Sequence, residues 1–384
     1  MRLVLSLLLL GCGEVKGSLP DGPPGGNDEG TGVPACGDGI RQPGEVCYKA
    51  PFTIQATDAA YDAQFADMDS DGDLDVVFLI SDQVQTHINA SGVFAASAIA
   101  GATAFGPYML AQDFDNDQNV DLAVAGLNVA GGSGVTMYKG DGTAHQTMAG
   151  SGSLGVTAAA IGRGDVKGKG TMLVTFDLRT VQLWAFETGL GIIEDGGAQV
   201  SNVVTGAVGK LDGDNFADIA VGRSNGIVVF RGGTSGLSPI ISTPMVERTG
   251  ALAIGDVTGD GIADIAYTQV DPSTDTSLVA MMPGAGAAAF LAPITIPAKG
   301  ISMALQLADV DGDGKQDLVT GTGDTSWQLD VSLGTATGFA APVALPISGP
   351  ANQIHTGDYN KDEAPDLIVT NTGTQTITIF ESNP

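Results

Sequence analysis

Asp67, Asp69, Asp71 and Asp75 occupy positions 1, 3, 5 and 9 of the run Asp-Met-Asp-Ser-Asp-Gly-Asp-Leu-Asp. Alternate side chains at 1, 3 and 5 of a tight loop converge on one point. Gly at position 6 permits the sharp turn, position 7 offers a carbonyl, and position 9 returns a carboxylate. Hard oxygen ligands in that number suit Ca²⁺ better than Mg²⁺ or a transition metal. A single acidic turn reads as a solvated surface loop, but this one recurs. Asp113, Asp115, Asp117 and Asp121 repeat it, as do Asp309, Asp311, Asp313 and Asp317. Asp358, Asn360, Asp362 and Asp366 form another copy, and Asp256, Thr258, Asp260 and Asp264 one with a hydroxyl at position 3. Lys210 replaces the first acid of a copy that keeps Asp212, Asp214 and Asp218. A seventh, degenerate copy reads Asp165, Lys167, Lys169 and Leu173, and its two lysines put positive charge where an ion would sit. Several carboxylates gathered in one turn repel each other without a cation. Five to six calcium ions are therefore expected, one per non-degenerate loop.

The first positions fall at 67, 113, 165, 210, 256, 309 and 358, so the repeats lie 45 to 53 residues apart. Where an EF-hand loop would place its bidentate Glu at position 12 there stand Phe78, Val124, Val221, Tyr267, Thr320 and Val369. These are strand formers, so each loop feeds a strand rather than a helix. The strands after the loops, such as Leu74–Leu79 and Met172–Phe176, are continuously apolar, which predicts burial on both faces. A short apolar stretch precedes each loop and two more strands follow it, with Phe290-Leu291-Ala292-Pro293 and Phe339-Ala340-Ala341-Pro342 read as outer strands. Four strands per unit, seven units and no helical periodicity predict an all-β fold, a seven-bladed β-propeller with four-stranded blades. The last unit ends after three strands. Phe52–Ala56 is expected to supply its fourth, so that an N-terminal strand closes the last blade and removes open edges.

The loop pattern resembles the FG-GAP repeats of integrin α-subunit propellers and the related VCBS repeats of bacterial exported proteins, over residues 50–384. The resemblance implies a calcium ion in the turn between the first two strands of a blade, with all such turns on one face. It implies partner binding on the other face, where the longest loops lie near Gly126–Gly134 and Gln269–Thr276.

Composition agrees. Of 384 residues, 44 are Asp or Glu against 16 Lys or Arg, a formal charge of −28. Half of those acids fall on the loop positions named above, so much of the charge is coordination chemistry. Nucleic acid and anionic membrane surfaces both need clustered Lys and Arg and are excluded as partners. With 43% hydrophobic residues the chain has ample material for a core, unlike a disordered one.

Met1-Arg2, an apolar run to Leu10 and a small residue form the layout of a secretory signal, too short to span a bilayer. Leu9-Leu10-Gly11-Cys12 resembles a bacterial lipobox, which implies cleavage before Cys12 and lipidation of that residue. The expected organisation is a signal peptide over 1–11, a flexible Gly/Pro tether over 12–35, a small Cys-bridged segment over 36–49 and the propeller over 50–384. With Cys12 lipidated, Cys36 and Cys47 remain as the one possible internal disulfide, two free thiols being the alternative. Residues 36–47 resemble the start of a small cysteine-rich repeat of secreted bacterial proteins.

The leading functional expectation is a non-enzymatic, monomeric surface lipoprotein of a bacterium, at the outer membrane or cell surface. It would bind or adhere to an extracellular protein or polysaccharide, and the membrane would be reached only through the lipid. The alternatives are a calcium-dependent polysaccharide lyase or hydrolase, or a lectin. The chain has few groups for either. His87, His145 and His355 read first as packing or surface residues, and Trp184 and Trp327 as packing between blades. Arg163-Gly164-Asp165, an integrin-recognition tripeptide, reads as a chance match inside the degenerate repeat.

Overall fold

In the computed structural model, the residues described are 15–16, 36–37 and 39–384 apart from 82, 102–104, 128–132, 155–157, 188, 245–247, 272–275, 298–303 and 324–325. Apolar second strands flanked by acidic turns fold as the repeat requires: every unit is a four-stranded antiparallel sheet, and there are seven. Blade 1 comprises Asp62–Ala66, Asp75–Ile80, Gln83–Asn89 and Phe94–Gly101. Blade 2 begins with Phe105–Gln112 and blade 3 with Ala158–Gly164. Blades 4 and 5 begin with Val203–Gly209 and Arg248–Gly255. Blades 6 and 7 begin with Leu305–Ala308 and Gln353–Gly357. Each first strand packs against the first strand of the next blade, and that of blade 7 returns to that of blade 1, so the ring is closed.

The second strands are buried on both faces, as their unbroken apolar character requires. Asp75–Ile80, Met172–Asp177 and Asp366–Asn371 are buried at every residue. The core is divided into seven apolar clusters, each wedged between two neighbouring blades. One joins Phe176 and Leu183 of blade 3 to Ile219 and Phe230 of blade 4. Close approach of the inner strands depends on small residues: a Cβ on Gly206 would lie 2.2 Å from the Phe176 ring. Trp184 is buried, donates to Thr175 Oγ1 at 2.8 Å, and lies where a Cβ on blade 2 Gly152 would meet its ring. Its role is packing between blades.

Ring closure follows the expectation. Phe52–Gln55 pairs antiparallel with Thr376–Phe380 and completes blade 7 as its outer strand. Two outer strands are displaced from the expected positions. In blades 5 and 6 they are Ile294–Pro297 and Val343–Pro346. Pro293 and Pro342 lack an N–H to give to the ladder, so pairing begins after them. Phe290 instead bridges to Gly284, and Gly338–Phe339 forms a small hairpin with Gly334–Thr335.

Residues 36–49 form a cap on blades 6 and 7. Cys36 and Cys47 are joined by a disulfide with Cα atoms 5.4 Å apart. Gly37 and Gly39 donate their N–H groups to the carbonyls of Asn383 and Pro384. Tyr48 is buried edge-on against Phe380. The signal segment over 1–11, Cys12 and most of the tether over 12–35 lie outside the described residues, as does part of each long loop near 126–134 and 269–276.

Candidate metal loops

Each acidic run links the first strand of a blade to the second, so all seven loops share one end of the ring. Local geometry is set by short polar side chains bonding their own backbone. Asp67 accepts the N–H groups of Asp71 and Gly72 at 3.1 and 3.0 Å. Asp113, Asp256 and Asp358 accept the equivalent pair in their loops. Asp309 accepts from Gly312 and Gly314. Position 5 accepts the N–H of position 7, as Asp71 does from Asp73 and Asp260 from Ile262, both at 2.8 Å. These are Asx turns, which the side chains of Asp favour.

Two features of the repeat went unread in the sequence. Position 4 is left-handed in all seven loops, at Ser70, Asn116, Gly168, Gly213, Gly259, Gly312 and Lys361. Position 2 is a buried apolar side chain in all seven: Met68, Phe114, Val166, Leu211, Val257, Val310 and Tyr359. Glycine in four of the seven position-4 sites, and an apolar residue at every position 2, were the available signals.

Position 9 has a structural task besides any ligand role. Asp75, Asp121, Asp218, Asp264, Asp317 and Asp366 each open the second strand and are fully buried. One oxygen accepts the N–H of loop position 2, at 2.6–2.9 Å. The other accepts an N–H where the third strand ends, at 2.7–3.0 Å. The carboxylate thus staples loop to blade. Burial raises its pKa in every case, to about 6 for Asp75 and Asp366 and about 7 for Asp317, against the backbone hydrogen bonds that lower it.

The side chains above the staple are gathered. Asp67, Asp69 and Asp71 bring carboxylate oxygens within 4.8 Å of one another. So do Asp113, Asp115 and Asp121, and Asp309, Asp311 and Asp317. In blades 5 and 7 position 3 is Thr258 and Asn360, so an oxygen donor without charge takes that place. Burial and the neighbouring Asp71 raise the pKa of Asp69. Side-chain cations are drawn to several loops. Lys139 bonds Asp115 and Asp117. Lys315 bonds Asp313, and Arg41 of the cap reaches Asp309 at 3.1 Å. Gly44 of the cap donates to Asp311 at 2.6 Å. In blade 4 Arg231 pairs with Asp212, beside the Lys210 that already replaces an acid. In blade 3 Lys167 and Lys169 both reach Asp195 of the outer strand, at 2.9 and 3.3 Å.

Three position-3 oxygens are left over. Asp69 Oδ1, Asp115 Oδ1 and Thr258 Oγ1 are buried and have no hydrogen-bond partner among the described residues. Buried oxygens are paired as a rule, and an unmet one costs about 1–3 kcal/mol. The same position is orphaned in three separate blades, which marks a shared missing partner. The oxygen-only donor set and the surplus of negative charge fit a hard divalent cation.

The histidines divide. His145 is exposed, 3.8 Å from Asp141. His87 packs on Phe78, and burial lowers its pKa. His355, read from the sequence as packing or surface, instead lines the central cavity and meets Asp62 Oδ1 at 2.8 Å.

Comparison with known proteins agrees with the architecture. Residues 210–267 and 309–369 match the FG-GAP-like repeat family. A chain in a crystal structure of BBS1N in complex with ARL6DN, soaked with lead, has the same fold with a TM-score of 0.59 and 14% identity. The alignment covers 88% of this chain and 97% of that one. No curated protein sequence matches the chain.

Proposed function

From a closed seven-bladed propeller carrying FG-GAP-like repeats, we propose a calcium-braced binding scaffold, exported and held at a bacterial surface by a lipid on Cys12. The observation that carries the calcium reading is the recurrence of an unpaired buried oxygen at position 3 of three loops. The ions would be held by Asp67, Asp69, Asp71 and Asp75 in blade 1 and by Asp113, Asp115, Asp117 and Asp121 in blade 2. Asp256, Thr258, Asp260 and Asp264 would serve in blade 5, Asp309, Asp311, Asp313 and Asp317 in blade 6, and Asp358, Asn360, Asp362 and Asp366 in blade 7. Blade 4 differs in having Lys210 at position 1, and blade 3 in having Lys167 and Lys169 at positions 3 and 5, so in both an ammonium stands at a ligand position.

Calcium there neutralises clustered carboxylates and ties each turn to the staple beneath it. Extracellular modules bind the ion at about 10⁻⁴–10⁻³ M. At tenfold excess over that constant each site stabilises the ring by about 1.4 kcal/mol. Five such sites give roughly 7 kcal/mol, the scale of a domain's net stability. Repeats of this type suggest an extracellular or surface protein, and the signal and lipobox pattern at 1–12 supports export. The loops use their acids for the brace, which supports a scaffold over an enzyme. A neighbour of the same fold held in complex with another protein supports a protein ligand only by analogy of fold.

Differential scanning with added calcium and with chelator tests the brace. The expected result is a melting temperature that rises with calcium over the sub-millimolar to millimolar range and falls on chelation. An unchanged transition would falsify it. Binding of the calcium-loaded protein to a polysaccharide array and to outer-membrane fractions, with product assayed in parallel, tests the scaffold: saturable binding without turnover is expected.

A further inference from the structure

The acidic loops lie at one end of the ring, and a cavity lies in the central channel toward the other. It measures about 520 Å³ and is lined by residues from all seven blades, mostly from the starting halves of their first strands. Its volume is that of a small-molecule site, about 300–1,000 Å³. Three groups give it chemistry. Asp62 is buried, and each of its oxygens is fixed: Oδ1 on His355 Nε2 at 2.8 Å, Oδ2 on the Met109 N–H at 2.8 Å. The imidazole of blade 7 is thereby oriented by a carboxylate of blade 1. Tyr108 of blade 2 lines the same cavity, and burial with the Asp62 charge raises its pKa to about 12, so it remains an O–H donor at neutral pH.

Arg248 of blade 5 completes the set. It is exposed at the cavity wall, and among the described residues no carboxylate lies within ion-pair distance of it. Arg248 shares that state with Arg163, Arg179, Lys210 and Arg223, but of these it alone lines the cavity. Acids outnumber Lys and Arg 44 to 16, and Arg41, Lys49, Lys139, Lys167, Lys169, Arg231, Lys315 and Lys361 are all seated on acids. A guanidinium offers a planar fork that matches a carboxylate in two hydrogen bonds.

We propose that this mouth of the channel binds a sugar carboxylate, with Arg248 on the carboxylate, Tyr108 and the Asp62-held His355 on adjacent oxygens, and Asn352 and Gln353 on ring hydroxyls. One guanidinium balances one negative charge. The Asp62 carboxylate close by disfavours a second negative charge on the ligand, such as that of a phosphate monoester, which selects a monoanion. Apolar Ile161 and Leu252 supply wall for the non-polar face of a ring. This deepens the scaffold reading by naming the ligand class and its place, and it rests on that reading.

The test uses the full chain loaded with calcium and isothermal titration with galacturonate, glucuronate, short oligogalacturonates, glucose and inorganic phosphate. Saturable binding of the uronates, with glucose and phosphate silent, is expected. Arg248→Gln, an exposed substitution whose folding is checked by its melting temperature, should weaken uronate binding about tenfold or more. If monomer and oligomer bind alike, the source is the free sugar acid; tighter binding of oligomers assigns a chain end. No saturable uronate binding, equal binding of phosphate, or an Arg248→Gln variant that binds as the parent does would each overturn the site. If the array and membrane fractions still show capture in that case, the scaffold reading survives alone; loss of both removes both.

Discussion

At the scale of single residues, the buried aspartates of position 9 set the molecule's response to acid. Each is ionised only at the cost of burial, and two backbone N–H groups offset part of that cost. Asp75 and Asp366 have pKa values raised to about 6 and Asp317 to about 7, from an ordinary 3.8. Between about pH 4 and pH 7 these aspartates therefore hold more protons in the folded chain than in the unfolded one, and the stability they contribute falls as pH rises. The single half-buried His87 makes a smaller, opposite contribution. In chelator the melting temperature should drop between pH 5.5 and 7.5. With calcium present the ion favours the ionised carboxylates, and the drop should vanish or reverse. A chelated protein whose melting temperature rises across that interval contradicts the assignment. The gathering of the loop carboxylates was legible because side-chain spacing in a tight loop is a local property. The staple was not, because its second bond goes to the end of a strand 14 to 20 residues away.

At the scale of elements, blade packing depends on what inner strands lack. Gly206 faces the Phe176 ring of the neighbouring blade at a distance that excludes a methyl group. Gly206→Ala should cost about 1–3 kcal/mol through overpacking, read as a lower denaturation midpoint with calcium saturating. A midpoint within error of the parent would show that the blades slide apart freely. The four-strand unit was legible from its period and from the unbroken apolar second strands. The outer strands of blades 5 and 6 were misplaced by a few residues, since apolar content pointed to Phe290 and Phe339 while the proline N–H deficit decided the pairing. The pairing of Asp62 with His355 could not be read locally. These residues stand 293 apart and meet because blade 7 closes on blade 1.

At the scale of the whole molecule, one short strand keeps the ring shut. Phe52–Gln55 covers Thr376–Phe380, which would otherwise be a bare, apolar edge. A chain beginning at Thr57 should melt lower and self-associate through that edge, seen as higher mass by light scattering after size exclusion. A monomeric truncation with the parent's melting temperature would show that closure is dispensable. Closure was legible as an arithmetic deficit of one strand in the last unit and a spare strand before the first. The cap was legible only as a pair of cysteines; its seat on blades 6 and 7 depends on Arg41, Gly44 and Tyr48 finding partners more than 260 residues on.

That seat has a mechanical consequence. The clasp between Gly37, Gly39 and the carbonyls of Asn383 and Pro384 lies ahead of the closing strand in the chain. A pull on the chain ahead of Val15 loads the pairing of Val15 and Lys16 with Tyr48 and Cys47 before it reaches the clasp. The disulfide limits how much chain can pay out before Cys47, where Asn383 donates to the Cys47 carbonyl and Lys49 to the Glu381 carbonyl. Beyond the clasp, the cap is also bonded to the loops of blades 6 and 7 through Arg41, Gly44 and Tyr48. A pull from the N-terminal side is thus expected to reach blades 6 and 7 before the other five.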